Sequence, residues 1–173
     1  MKWRVMLLVL PAVWLSWHAD MASGRLVEPW SYEKLLNESD LVVIADAKKT
    51  EDTTDKPRDP LFKPDLDHII GRTSTLEVKG TLKGKAPGAE IKVLHFRLME
   101  EWSIINGPSL VAFRTKPVEI KHDGHSESWH SRCEYMLFLK ARKDGRYEPV
   151  AGQYDAGMSV RELYSASGSD HGK

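Results

Sequence analysis

The amino-acid sequence predicts a mainly β protein in which short strands form an antiparallel barrel or sandwich. Three observations support this fold class. Short runs rich in β-branched residues recur, turn dipeptides rich in Gly, Asn and Asp separate them, and no alternation of strands with long helices is present. Only one segment has helical apolar spacing, so helices contribute little to the expected core.

The first half of the chain begins with that helix. Residues 30–38 carry apolar side chains at helical spacing, and Ser31 is suited to cap the helix N-terminus. Two strands are predicted next, at 41–47 and 68–82. Gly71 and Gly80 lie inside the second strand, where glycines mark bends that curve a sheet toward a barrel.

The second half supplies the remaining strands. Apolar runs predict them at 91–97, 110–113, 134–140 and 146–150. Asp144-Gly145 is a dipeptide typical of tight hairpin turns and joins the last two strands. Residues 152–163 are expected to form a turn followed by a short helix.

Two long polar segments separate these strands. Residues 48–67 contain three prolines, which argue against regular structure and predict an exposed loop. Residues 98–132 surround the short strand at 110–113 and end in a polar, His-containing stretch at 117–132. Because loops on a rigid barrel commonly carry binding function, 48–67 and 98–132 are the predicted binding segments.

The N-terminus has the layout of a secretory signal peptide. Two basic residues precede an apolar run at 5–15, and small residues ending at Gly24 follow. A membrane-spanning helix needs about 20 apolar residues, so we expect cleavage and no transmembrane segment afterwards, with an uncleaved anchor as the alternative. The expected organisation of this secreted or periplasmic protein is a signal peptide at 1–24, a single barrel domain at 25–164 and a flexible tail at 165–173.

Composition excludes several classes of function. The chain has 25 basic and 25 acidic residues, so no net charge attracts it to nucleic acid, and no nucleic-acid partner is expected. Cys133 is the single cysteine, so no intramolecular disulfide stabilises the fold. The sequence contains no nucleophile elbow, no zinc-protease helix motif and no phosphate-binding glycine loop, so no catalytic residue is assigned.

Four residues near one another in the sequence have side chains suited to bind zinc or copper, because imidazole and thiolate are good ligands for both ions. These residues are His122, His125, His130 and Cys133. The alternative is an exposed His-rich loop with Cys133 buried as a small apolar residue.

A second polar cluster comprises Asp65, Asp67 and His68. Calcium binding and turn formation are the two alternatives for it.

Several short motifs of the mature chain, among them Trp30-Ser31-Tyr32-Glu33, Asn106-Gly107-Pro108, Gly145–Val150 and Gly152-Gln153, resemble those of uncharacterised secreted bacterial proteins of planctomycete type. That family has no established activity. The strand order is also similar to that of netrin and metalloproteinase-inhibitor modules, which implies an OB-like barrel. Those inhibitors place an N-terminal cysteine on the zinc of their target, whereas Cys133 lies far from the N-terminus. The resemblance therefore does not imply protease inhibition.

These features predict a secreted, non-catalytic barrel module. Its partner would be a protein, a glycan or an envelope component outside the cytoplasm, bound through the loops. The alternative is a zinc- or copper-binding protein that uses the His/Cys cluster, and no other cofactor is expected.

Overall fold

The predicted barrel is present and closed. The structure, a computed structural model, describes residues 28–101, 103, 107–115, 118–122 and 125–165. In chain order, its elements are helix α1 (Tyr32–Glu38) and strands β1 (Leu41–Thr53), β2 (Ile69–Lys83), β3 (Glu90–Leu98), β4 (Val118–His122), β5 (His125–Ala141), β6 (Tyr147–Pro149) and β7 (Val160–Ser165). The ring β1-β2-β3-β6-β5 closes because β5 also pairs with β1, while β4 and β7 add to β5. The small, mainly β barrel with one short N-terminal helix is therefore confirmed.

Two predicted segments fall outside the described ranges. The signal peptide at 1–24 belongs to them, as does the tail predicted at 165–173 except Ser165, which ends β7, so both segments stay predictions. Within the ranges given above, no helix has the length and hydropathy needed to cross a membrane.

Helix α1 begins where the sequence predicts. The side chain of Ser31 accepts a hydrogen bond from the backbone N–H three residues later, at 3.2 Å, which confirms its role as N-cap. At the other end, the hydroxyl of Ser39 donates to the carbonyl of Leu35 at 2.5 Å. Leu35 is fully buried on the outer face of the barrel, where it belongs to a cluster with Val42, Phe138 and Val150.

Alternation along β1 builds the barrel interior. Every second residue from Leu41 to Ala47 is buried in the main apolar cluster. The predicted strand at 41–47 is too short, because its polar continuation to Thr53 pairs with β2 throughout. The β1–β2 register shifts between Ile44 and Ala45, next to Gly80, which confirms the predicted bend there.

Residues 54–68, called here the covering segment, do not form the predicted exposed loop. A 3₁₀ helix spans Pro60–His68, and the carboxylate of Asp59 caps it by accepting from the N–H of Leu61 at 3.0 Å. Proline is compatible with the first turn of a helix, where its missing N–H needs no partner. Pro60 therefore suits the first turn of this short helix, and Pro57 precedes it, although the sequence analysis took the prolines to exclude regular structure.

The covering segment packs on the outer face of β3. Leu94 and Phe96 alternate with Val93, which belongs to the interior cluster, so they face outward. Phe62 is fully buried against this face, with ring centroids 6.1 Å from Phe96 and 4.8 Å from Tyr154. A second hydrophobic cluster thus ties the segment to the barrel.

Residues 109–114, called here the plug, replace the strand predicted at 110–113. They are not a strand, yet Val111 and Phe113 are buried in the interior cluster. The carbonyl of Ser109 accepts from the N–H of Gly157 at 2.8 Å. The apolar run therefore signals burial and not strand pairing, which periodicity alone does not separate in a short segment.

The prediction of a loop at 117–132 is also wrong, because most of these residues form the β4–β5 hairpin. The strands pair antiparallel from Val118 opposite Ser131 to His122 opposite His125. The short helix predicted within 152–163 is replaced by a 3₁₀ turn at Ala156–Ser159 and by β7, which pairs with β5.

Strand β6 closes the ring. The predicted Asp144-Gly145 turn is confirmed, because Gly145 adopts a φ of +80° and the chain returns antiparallel to β5. On its other side β6 meets β3 in parallel, at the single pair of Val93 and Tyr147. The barrel is therefore antiparallel except at this seam.

Candidate functional site

The four predicted metal ligands all lie on strands. His122 of β4 is directly opposite His125 of β5, and His130 lies farther along β5. Cys133 follows inside the same strand, where β5 pairs with β7. The backbone therefore brings His122 and His125 together next to the hairpin turn.

The extended strand β5 separates His130 and Cys133 from the pair His122 and His125. Each strand residue advances the chain by about 3.3 Å, so Cys133 is about 26 Å from His125 along β5. The side chains of all four residues are outside the described part, so the zinc or copper site stays a prediction. Among the side chains that are described, no group of three or more His, Cys, Asp or Glu residues could hold a metal.

The second predicted cluster lies in the covering segment. Its residues belong to the 3₁₀ helix Pro60–His68 and not to an open loop. The side chain of Asp65 is not described, so calcium binding by Asp65, Asp67 and His68 also stays a prediction.

The hairpin formed by β4 and residues 125–131 of β5 is called here the hairpin arm. In the described residues, β5 pairs with β7 from Arg132 onward and with β1 from Glu134 onward. Before Arg132 its pairing partner is β4. The arm is therefore a two-stranded extension that leaves the barrel, with backbone edges that no other described strand covers.

An ionic cluster joins the covering segment to the turn between β5 and β6. Arg146 donates to both carboxylate oxygens of Asp55, at 2.7 and 2.8 Å, and also to Asp144 at 2.8 Å. Arg142 donates to Glu148 at 2.6 Å and also contacts Asp144. The bidentate geometry between Arg146 and Asp55 fixes both distance and orientation of the two segments.

The carboxylates and arginines of this cluster stabilise each other's charged forms. The hydrogen bonds from Arg146 lower the pKa of Asp55 to about 2, and they also lower the pKa of Asp144. The same contacts raise the pKa of Arg146. Both arginines already bond carboxylates of the protein. The cluster therefore holds the covering segment against the turn between β5 and β6.

A chain of polar side chains crosses the barrel interior. The hydroxyls of Thr50 and Ser74 are 2.7 Å apart, and the Ser74 hydroxyl is 2.9 Å from Nε2 of His95. Nδ1 of His95 is 3.1 Å from the carbonyl of Val111 in the plug. A carbonyl only accepts, so Nδ1 carries the proton, Nε2 accepts from Ser74, and Thr50 donates to Ser74.

Ser74 and His95 have the geometry of a nucleophile and its general base. Both side chains are buried, with 0% and 1% of their surface exposed, so a substrate does not reach Ser74. The sequence analysis missed this pair. The available signal was the alternation of β3, which places His95 on the same inward face as Ile91 and Val93.

The described residues thus contain three candidate functional features, namely the hairpin arm, the ionic cluster and the buried Ser74–His95 chain. The ionic cluster and the buried chain make their contacts within the protein, whereas the arm offers uncovered backbone edges. Comparison with known proteins found no matching protein family, no matching curated protein and no matching solved structure.

Proposed function

We propose that the protein is a non-catalytic binding module whose hairpin arm binds an extended segment of a partner protein outside the cytoplasm. The observation that carries this proposal is the pairing of β5, whose residues 125–131 pair with β4 beyond the reach of the ring strands. An isolated two-stranded hairpin is marginally stable in water, so added strands would stabilise it. The location follows from the predicted signal peptide.

Backbone pairing is the mode of recognition that this geometry favours. Each ring strand has a described partner on both sides, although β3 meets β6 only at the single pair of Val93 and Tyr147. The arm leaves main-chain N–H and C=O groups of β4 without a described strand partner, and such an edge accepts an extended peptide as an additional strand. The contacts would be mainly backbone hydrogen bonds, which suits a peptide of varied sequence.

A site-specific photocrosslinker tests the proposal. Incorporated in place of Lys121 on β4, it should form adducts with a partner protein in the extracytoplasmic fraction of the source cell. The same crosslinker at Lys85, in the turn between β2 and β3, is the matched control and should form none. Equal adducts at both positions, or undiminished partner binding after residues 118–131 are replaced by a short Gly-Ser linker, would overturn the proposal. Adducts that contain glycan and no peptide would do the same.

A metal site is the second candidate, favoured by the cross-strand placement of His122 and His125. Directly opposed strand residues have Cβ atoms about 5 Å apart, a spacing that suits two ligands of one zinc or copper ion. Zinc titration by calorimetry should show binding that is lost when both residues are changed to Ala. His68→Ala, in the covering segment, is the control and should keep it. Unchanged zinc binding in the double variant would exclude this site.

A further inference from the structure

The plug contacts the barrel through an ionisable side chain, His95. The carbonyl of Val111 bonds Nδ1 of His95, and the ring of Phe113 contacts the His95 ring edge-to-face, with centroids 5.0 Å apart. The plug is also held at its ends, where Ser109 bonds Gly157 and the N–H of Arg114 donates to a tyrosine hydroxyl at 2.8 Å. His95 therefore holds the middle of the plug together with the packing of Phe113 against Tyr135.

The hydrogen-bond chain fits only the neutral form of that histidine. Nε2 accepts from Ser74, and Ser74 in turn accepts from Thr50. A proton added at Nε2 would turn this acceptor into a donor, so both hydroxyls would have to reverse. It would also place a positive charge in the apolar interior, beside Phe113, which is costly without a paired carboxylate.

The charged groups around His95 do not supply such a carboxylate. Arg72 lies directly opposite His95 across β2 and β3 and repels its protonated form. The carboxylate of Asp52 on β1 is engaged by Arg72 and Arg97 at 3.0 and 2.9 Å. Arg114 of the plug and Tyr135 of β5 are further ionisable groups on the elements packed here. Burial, and then the charge of Arg72, lowers the pKa of His95 from 6.5 to about 4.

We propose that the plug is an acid-released cover of the barrel end, which leaves the interior when His95 is protonated. The described contacts of the imidazole are Ser74 of β2 and, from the plug, Val111 and Phe113, so the plug is the part of its surroundings that no barrel strand holds in place. Release would move Val111 and Phe113 out of the interior cluster and expose the apolar barrel end. This device is independent of the hairpin arm.

Hydrogen exchange of the full chain, followed by mass spectrometry and corrected for intrinsic rates, tests the proposal. Between pH 7 and pH 4, protection of the amides at 110–114 should fall at least tenfold more than that of amides at 41–47 in β1. In His95→Gln, which keeps a neutral polar group, this selective loss should disappear. Ser74→Ala removes the donor to the neutral ring, so release should occur at a higher pH than in the native protein.

Three outcomes would overturn the proposal. They are equal loss of protection in the plug and in β1, an unchanged plug at pH 4, and the same pH dependence in His95→Gln. If His95→Gln does not fold, the Ser74→Ala comparison decides. An unchanged or lowered pH of release in that variant would also contradict the role of His95.

Discussion

Replacing Phe62 by Ala tests whether the covering segment is part of the packed structure. Phe62 is 0% exposed and sits between Phe96 and Tyr154, whereas the neighbouring Leu61 is 58% exposed. Phe62→Ala should therefore destabilise the protein, and Leu61→Ala should not. The two substitutions lie at neighbouring positions of the same 3₁₀ helix, so their place in the chain is closely matched.

The expected magnitude follows from the burial of the ring. A phenylalanine side chain buries about 200 Å² of apolar surface, worth about 5 kcal/mol at about 25 cal/mol per Å². Truncation to alanine keeps part of this contact but leaves a cavity, and buried Phe→Ala changes typically cost about 3–5 kcal/mol. We expect a loss of about 4 kcal/mol for Phe62→Ala, and less than about 0.5 kcal/mol for the exposed Leu61→Ala.

Urea denaturation of both variants and of the native protein measures these differences directly. The slope of each transition must stay the same, so that the midpoints report stability. A loss below about 1 kcal/mol for Phe62→Ala would show that the covering segment is the free loop suggested by its prolines. That result would also contradict the structural role given to the ionic cluster, because the covering segment would not be packed on the barrel.

Three further predictions concern single side chains. Arg146→Ala should cost about 2 kcal/mol in urea denaturation at neutral pH, because it leaves Asp55 without its arginine partner. It should also reduce the loss of stability seen as the pH falls from about 4 to 2, because the pKa of Asp55 in the native protein is about 2 instead of 3.8. His95 titrates below its ordinary value of 6.5, so its contribution is complete above that pH and is lost toward pH 4. We expect denaturation curves to show this loss, about 3 kcal/mol, in the native protein and not in His95→Gln. Gly84→Ala should cost more than about 1 kcal/mol in the same assay, because φ is +77° and its Cβ would meet a backbone carbonyl, whereas Gly88→Ala, in open space, should be nearly neutral.

The fold was predictable wherever a local signal decides the local structure. Ser31 caps α1 because a serine hydroxyl satisfies a free helix N–H, whatever the rest of the chain does. The Asp144-Gly145 turn follows similarly from the positive φ that glycine adopts without strain. The apolar run at 91–97 predicted strand β3 in the same way.

The errors arose where tertiary contacts decide. The covering segment is polar and contains three prolines, and only its few apolar residues, chiefly Phe62 and Leu66, indicated that it packs on β3. The hairpin arm was overlooked although Val118 and Ile120 alternate with polar residues ahead of an Asp-Gly dipeptide at 123–124, a strong hairpin signal. The plug was read as a strand because a short apolar run indicates burial without indicating pairing.

The candidate sites were less predictable than the strands. Proximity in sequence suggested one cluster of His122, His125, His130 and Cys133, but an extended strand spreads such residues apart. Ser74 and His95 meet only because β2 pairs with β3 in one register, which sequence spacing does not specify. The partners of Arg146 were hidden for the same reason, because Asp55 approaches it from a distant part of the chain.

The narrow seam between β3 and β6 has a consequence for the order of folding. β1, β2 and β3 are neighbours in the sequence and pair along most of their length, so this meander can form early through local contacts. The ring closes only when Val93 meets Tyr147, and these residues are separated by much of the chain. Closing so long a loop for a single backbone pair is entropically unfavourable, so the seam forms last and the ionic cluster beside it completes the barrel. A substitution at Arg146 should consequently accelerate unfolding while leaving the rate of folding nearly unchanged.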